Sequence, residues 1–241
     1  MGYDIILLDA DDTLFDYSRA ERSALERTCE AFGAPFDSRV LEQYHQINDA
    51  LWKQFEQGAV TQDALRVRRF ESLFAFLGVH ADCARVNRFY THALGEGAFL
   101  MDGAEEFCRA LSARRPLYIV TNGVSEVQRS RLARASIAPY IRDIFISQEI
   151  GAPKPRAQFF DHVFAALGNP SRAHAIIMGD SLTSDMAGGK NAGIATCWFA
   201  PDDAVDTVGC DYRVSRLAGF LPIARQGRAF VKGDRARRIN R

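Results

Sequence analysis

Five short apolar runs constrain this chain most, because helical stretches separate them and three break off into polar landmarks. Tyr3 to Asp9 ends in Asp9-Ala10-Asp11-Asp12-Thr13, Leu117 to Val120 in Thr121-Asn122-Gly123, and Ala175 to Met178 in Gly179-Asp180. Asp143 to Ser147 and Ile194 to Phe199 complete the set. Helical spacing fills the intervals at Ala104 to Ala113, Val127 to Ala135, Gln158 to Leu167 and Ser184 to Ala192. Strands alternating with helices predict a parallel sheet covered on both faces, a Rossmann-like α/β core. In such a sheet the carboxyl ends of the strands share one edge, where ligands bind. The polar landmarks are therefore expected to converge.

One block breaks this rhythm. From Ser18 to Leu94 the chain is rich in Arg, Glu, Gln and Ala, with apolar residues at helical spacing (Leu51, Phe55; Leu65, Phe70, Leu73, Phe74, Leu77) and breaks at Gly33-Ala34-Pro35, Gly58 and Gly78. This predicts three or four helices inserted after the first strand. The expected organisation is a discontinuous core over 1–16 and 97–222, a helical insertion over 17–96, and a mobile arginine-rich tail over 223–241. Trp52, Phe55, Phe70 and Phe74 are expected in the core of the insertion rather than in a base-stacking platform.

Bulk properties exclude several classes. With 30 basic and 30 acidic residues among 241, the net charge is zero, so nothing asks for a nucleic-acid partner. No run approaches the roughly 18 apolar residues of a membrane span. The run Ile5 to Leu8 ends in acidic residues and does not read as a signal peptide. Cys29, Cys83, Cys108, Cys197 and Cys210 are scattered and never form C-x-x-C, which predicts reduced thiols, a cytoplasmic location and no cysteine zinc site.

At the shared edge, Asp9, Asp11, Asp180 and Asp185 would crowd several carboxylates together. Like charges that close raise one another's pKa and destabilise the fold unless compensated. A hard divalent cation such as magnesium, bound through oxygen, relieves the repulsion. Lys154, set between Pro153 and Pro155, supplies a positive charge in a chain whose other lysines are only Lys53, Lys190 and Lys232. Any one of the acidic residues reads equally well as a solvated loop or helix cap. The ordered set carries the inference.

D-x-D-x-T, then Thr at a strand end, then Lys before Pro, then G-D-x-x-x-x-D resembles the four motifs of the haloacid dehalogenase-like (HAD) hydrolases over roughly residues 1–222. The resemblance implies a Mg²⁺-dependent phosphomonoester hydrolase. Asp9 would be the nucleophile that becomes an aspartyl phosphate, and Asp11 the acid/base. Thr121, Asn122, backbone N–H groups after the second strand and Lys154 would hold phosphate. Asp9, the Asp11 carbonyl and Asp180 would ligate the metal, and Asp185 would support the metal shell or orient Lys154. Asp12 fits a turn. Asp11 favours phosphoryl transfer over dehalogenation, since dehalogenases of this fold lack the second Asp.

The insertion resembles a C1-type cap, which implies a small soluble phosphomonoester. Asp9 to Phe15, the stretch from Leu51-Trp52 through Gly58 to Arg69-Phe70, and Gly188 to Trp198 look like the bacterial pyrimidine 5′-nucleotidase (YjjG-type) branch. A sugar-phosphate or phosphoglycolate phosphatase, or a phosphomutase, would share the motifs. A phospho-accepting receiver also gathers aspartates, Thr and Lys, but in another order and without such an insertion. Oligomeric state is not legible.

Overall fold

The computed structural model describes residues 2–226. Their backbone divides into two compact units, one of residues 2–16, 100–123 and 135–226, the other of residues 17–99 and 124–134.

The first unit is built on a six-stranded sheet of β1 (Ile5–Leu8), β2 (Leu117–Thr121), β3 (Ile141–Ile146), β4 (Ala175–Gly179), β5 (Ala195–Phe199) and β6 (Tyr212–Val214). The strand order is β3-β2-β1-β4-β5-β6, and every neighbouring pair is parallel. β1 lies central because its four residues are all buried and apolar, as a strand covered on both faces requires. Successive side chains alternate between faces. Ile5 and Leu7 join a cluster with Phe159, Phe160, Val163 and Phe164 of the helix Ala157–Ala166. Ile6 and Leu8 are equally buried.

Register positions the site. Leu8 pairs with Ile119 on one side and Met178 on the other, so the residues that follow these three emerge together at the carboxyl edge. Asp9 is tied there by its N–H to the Met178 carbonyl, 2.9 Å.

Some elements were not expected. β6 is a three-residue edge strand, too short for a periodicity to register. The helix expected over 184–192 begins instead as a π-helical turn, Leu182–Met186, before the α-helix Ala187–Asn191. The chain also closes differently from expectation. Phe220–Gln226 is helical and buries Ile223 and Ala224, so the tail cannot start at 223; the remainder of that segment, 227–241, lies outside the described residues.

The second unit holds α1 (Tyr17–Ala31), α2 (Ser38–Glu56), α3 (Gln62–Leu77), α4 (Cys83–Glu96) and α6 (Ser125–Arg134), the fifth in chain order, Ala104–Ser112, belonging to the sheet unit. Residues 124–134, expected in the core, fall in this unit instead, since nothing in a ten-residue helix reports which neighbour it packs on. Asp37, Thr61 and Asp82 cap α2, α3 and α4 by accepting backbone N–H bonds. Gly78 ends α3 in the left-handed conformation, φ +65°. Phe70 and Phe74 sit in the apolar core with Tyr44 and Tyr90, whereas Trp52 and Phe55 are only partly buried and meet edge to face at 5.5 Å.

A polar thread crosses this core. Glu21 accepts from Tyr17 (2.9 Å) and Asn48 (3.2 Å) and pairs with His45 (2.8 Å). Arg69, 2% exposed, donates to Asn48 (3.4 Å) and Asn87 (3.1 Å). No helix among the described residues is long and apolar enough to cross a membrane. All five cysteines are free thiols, three of them buried.

Candidate active site

The site is assembled around Lys154. Its ammonium donates to Asp9 Oδ1 (2.6 Å), Asp185 Oδ1 (2.6 Å) and the Val120 carbonyl (2.8 Å), and its side chain is 1% exposed. Three acceptors satisfy all three N–H groups of the lysine. The loop bearing Lys154 is fastened to the end of β2 by Asn122, whose amide donates to the Lys154 carbonyl and accepts from the Lys154 N–H, both at 2.9 Å. Thr121, buried at the tip of β2, accepts the Gly123 N–H on its hydroxyl at 3.0 Å.

On the other side of β1 the loop after β4 delivers Asp180. One carboxylate oxygen from each of Asp9, Asp180 and Asp185 lies within 4.8 Å of the others. The second Asp185 oxygen accepts the Ser181 N–H at 3.1 Å. Asp185 also presses on the strand end, for a Cβ placed on Gly179 would stand 2.3 Å from Asp185 Oδ2. Ser181 caps the π-helical turn by accepting the Ser184 N–H. Asp12 occupies a turn with φ +53°, and Asp11, half-buried, forms an isolated bridge with Phe15.

One ammonium cannot neutralise this cluster. Burial, then the neighbouring Asp185 and Asp11 charges, push Asp9 up to about 7, against the opposing pull of Lys154. Asp180 is raised well above the usual carboxylate range by loss of hydration and by Asp9, Asp185 and Asp12, although the residue remains open to solvent. Burial alone would lower the Lys154 ammonium, but Asp185 and Asp9 outweigh it, so the lysine stays protonated. Excess negative charge on clustered, acceptor-only oxygens is the donor set a hard divalent cation takes. Both Asp185 oxygens and both Asp9 oxygens take protein donors, the 3.3 Å bond from Thr13 to Asp9 Oδ2 being the longest of the four, and Asp180 is the exposed member of the three.

Two contributors went unassigned in the sequence. Thr13, fully buried, donates to Asp9 Oδ2 at 3.3 Å; its place four residues beyond Asp9 was the available signal. Trp198 of β5 donates its indole N–H to the Asp180 carbonyl at 2.7 Å, and no spacing pointed to it.

Comparison with known proteins places this geometry. The family model described as haloacid dehalogenase-like hydrolase matches residues 3–193. The HAD-hydrolase YfnB of Bacillus subtilis is 40% identical over 200 residues, 83% of this chain and 85% of that protein. Its magnesium-bound crystal structure superposes with a TM-score of 0.88, at 37% identity, covering 93% of this chain and all of that one. Pyrimidine 5′-nucleotidase YjjG of Escherichia coli is 34% identical over 83% of this chain and 87% of its own length. Pyrimidine 5′-nucleotidase PynA of Streptococcus pneumoniae is 33% identical over 83% and 85%. With a family model spanning most of its length and relatives this similar over 83% of it, the chain belongs to the haloacid dehalogenase-like hydrolases.

Proposed function

We propose that this protein is a magnesium-dependent phosphomonoester hydrolase that works through an aspartyl phosphate on Asp9, and that its substrates are pyrimidine nucleoside 5′-monophosphates. The observation that carries the chemistry is the Lys154 ammonium shared between Asp9 and Asp185 at 2.6 Å each, beside an unneutralised carboxylate cluster. A carboxylate can attack a phosphate dianion only where their mutual repulsion is suppressed.

In this reading Asp9 attacks phosphorus as the ester P–O bond breaks, and Asp11 gives its proton to the departing alkoxide. Asp11 then takes a proton from water as that water attacks phosphorus, breaking the bond to Asp9 and freeing inorganic phosphate. Thr121 and the backbone N–H groups after β2 hold the phosphoryl oxygens. Asn122 serves the same end through its backbone, since its amide is spent on the Lys154 loop. Asp9, Asp180 and the Asp11 carbonyl would hold Mg²⁺, which when bound would supply the remaining positive charge. Asp185 orients Lys154. The helical insertion is the C1-type cap that the resemblance implies, and Asp11 separates this chemistry from dehalogenation.

The nucleotide assignment is supported by YjjG and PynA, both named pyrimidine 5′-nucleotidases. Phosphate release across a panel of phosphomonoesters with Mg²⁺ tests it. Pyrimidine nucleoside monophosphates should give the highest kcat/KM; a higher rank for sugar phosphates or phosphoglycolate would transfer the assignment to them.

A further inference from the structure

We infer that Trp198 is a positioning residue for the Asp180 carboxylate, holding it for a divalent cation by fixing the peptide that joins Asp180 to Ser181. The inference rests on the reading of Asp180 as a cation ligand. Both polar groups of that peptide are engaged: its carbonyl accepts the Trp198 indole N–H at 2.7 Å, and its N–H donates to Asp185 Oδ2 at 3.1 Å. With the two ends held from different elements rotation of the peptide plane costs both bonds, so the Asp180 side chain leaves a restrained backbone. Asp180 is otherwise exposed at the start of a loop, where a free peptide would sample several orientations.

Trp198 is itself constrained. It pairs with Gly179 on β4 and with Arg213 on β6 in the strand ladder. The Arg213 guanidinium lies 5.2 Å from the indole ring and donates to the Ala204 carbonyl at 2.8 Å. The ring is 6% exposed and packs in the sheet core. Burying an indole brings its N–H with it, and that N–H needs an acceptor. A phenylalanine would fill nearly the same core space but leave the Asp180 carbonyl unheld. A partner on the ligating group itself typically carries about 10–100-fold in metal affinity. Trp198, which holds the ligand residue's backbone carbonyl, stands one step further back, so the lower end of that range is expected.

The test is Mg²⁺ binding by calorimetry on the parent and on Trp198→Phe, with circular dichroism to verify the fold. Trp198→Phe should raise the Kd for Mg²⁺ about 10-fold. Its kcat should return towards the parent's at saturating Mg²⁺, whereas a merely structural role would depress kcat at every concentration. Since Trp52 and Trp198 are the only tryptophans, a Trp52→Phe protein gives a second readout that leaves Trp198 in place: its emission should shift with Mg²⁺ at the calorimetric Kd. Unchanged Mg²⁺ affinity in Trp198→Phe overturns the inference, as does Trp198 emission that stays still while Mg²⁺ binds. Failure of the parent itself to bind Mg²⁺ removes the cation reading of Asp180 and this inference with it.

Discussion

Asp9 and Lys154 touch each other, yet removing one or the other should have opposite effects on stability. Asp9 is one of several carboxylates crowding a single ammonium. Asp9→Asn subtracts a negative charge from an over-negative cluster and keeps an acceptor for the lysine. Its melting temperature without metal should match or exceed the parent's, while turnover falls on the order of 10⁴–10⁶-fold, as for loss of a nucleophile elsewhere. Lys154→Met leaves buried Asp9 and Asp185 without their counter-charge and should cost about 3–5 kcal/mol of stability, read from denaturant unfolding. A stable Lys154→Met protein, or appreciable turnover by Asp9→Asn, would contradict the charge argument or the covalent scheme respectively. At this scale the sequence was informative where a residue was odd for its place, as with a lysine between two prolines in an arginine-rich chain. Thr13 and Trp198 look ordinary in sequence, because a donor's importance depends on which acceptor the fold brings to it.

Elements were legible in proportion to the strength of their period. β1, β2 and β4 are apolar runs closed by polar residues, and they stand where expected. β6, with three residues, and the π-helical turn, which depends on backbone hydrogen bonds rather than side-chain pattern, left no trace. Two glycines at element ends show how alike such positions look before the fold is known. A Cβ at Gly78 meets nothing within 4 Å, but its φ of +65° is unfavourable for any other residue. Gly78→Ala should cost about 1–2 kcal/mol and leave kcat/KM intact. A Cβ at Gly179 would stand 2.3 Å from Asp185 Oδ2 and 2.9 Å from Asp185 Cβ. Gly179→Ala must push Asp185 off Lys154 and Ser181, costing about 1–3 kcal/mol by overpacking and disabling catalysis as well. If both variants kept full activity, the contact between β4 and Asp185 would have no part in holding the site.

The whole molecule is electrically balanced, with 30 charges of each sign, and still concentrates acid at one edge of its sheet. Composition could not reveal this, because strand order brings residues from 9 to 185 together. The consequence is a pH dependence of global stability. Without metal, Asp9 titrates near 7 in the folded state, against about 4 when unfolded. Between those values the folded state binds the proton more tightly. The stability this group contributes is therefore fully present below about 4 and is lost as pH rises through about 7. In chelator, the melting temperature of the parent relative to Asp9→Asn should fall from pH 5 to pH 8. Mg²⁺ should reverse the trend, because it takes the deprotonated cluster. Its stabilisation, about 2.7 kcal/mol at a hundredfold excess over Kd, should be larger at pH 8 than at pH 5, where it must displace a proton. Differential scanning calorimetry of both proteins, with Mg²⁺ and with chelator, measures all four terms. A parent-minus-variant difference that stays flat with pH in chelator would mean that Asp9 is already ionised at pH 5 and that burial and its acidic neighbours do not hold a proton there. Asp180 and Asp185 would still face the one Lys154 ammonium, so the case for magnesium would rest on the donor set and no longer on a proton held by Asp9.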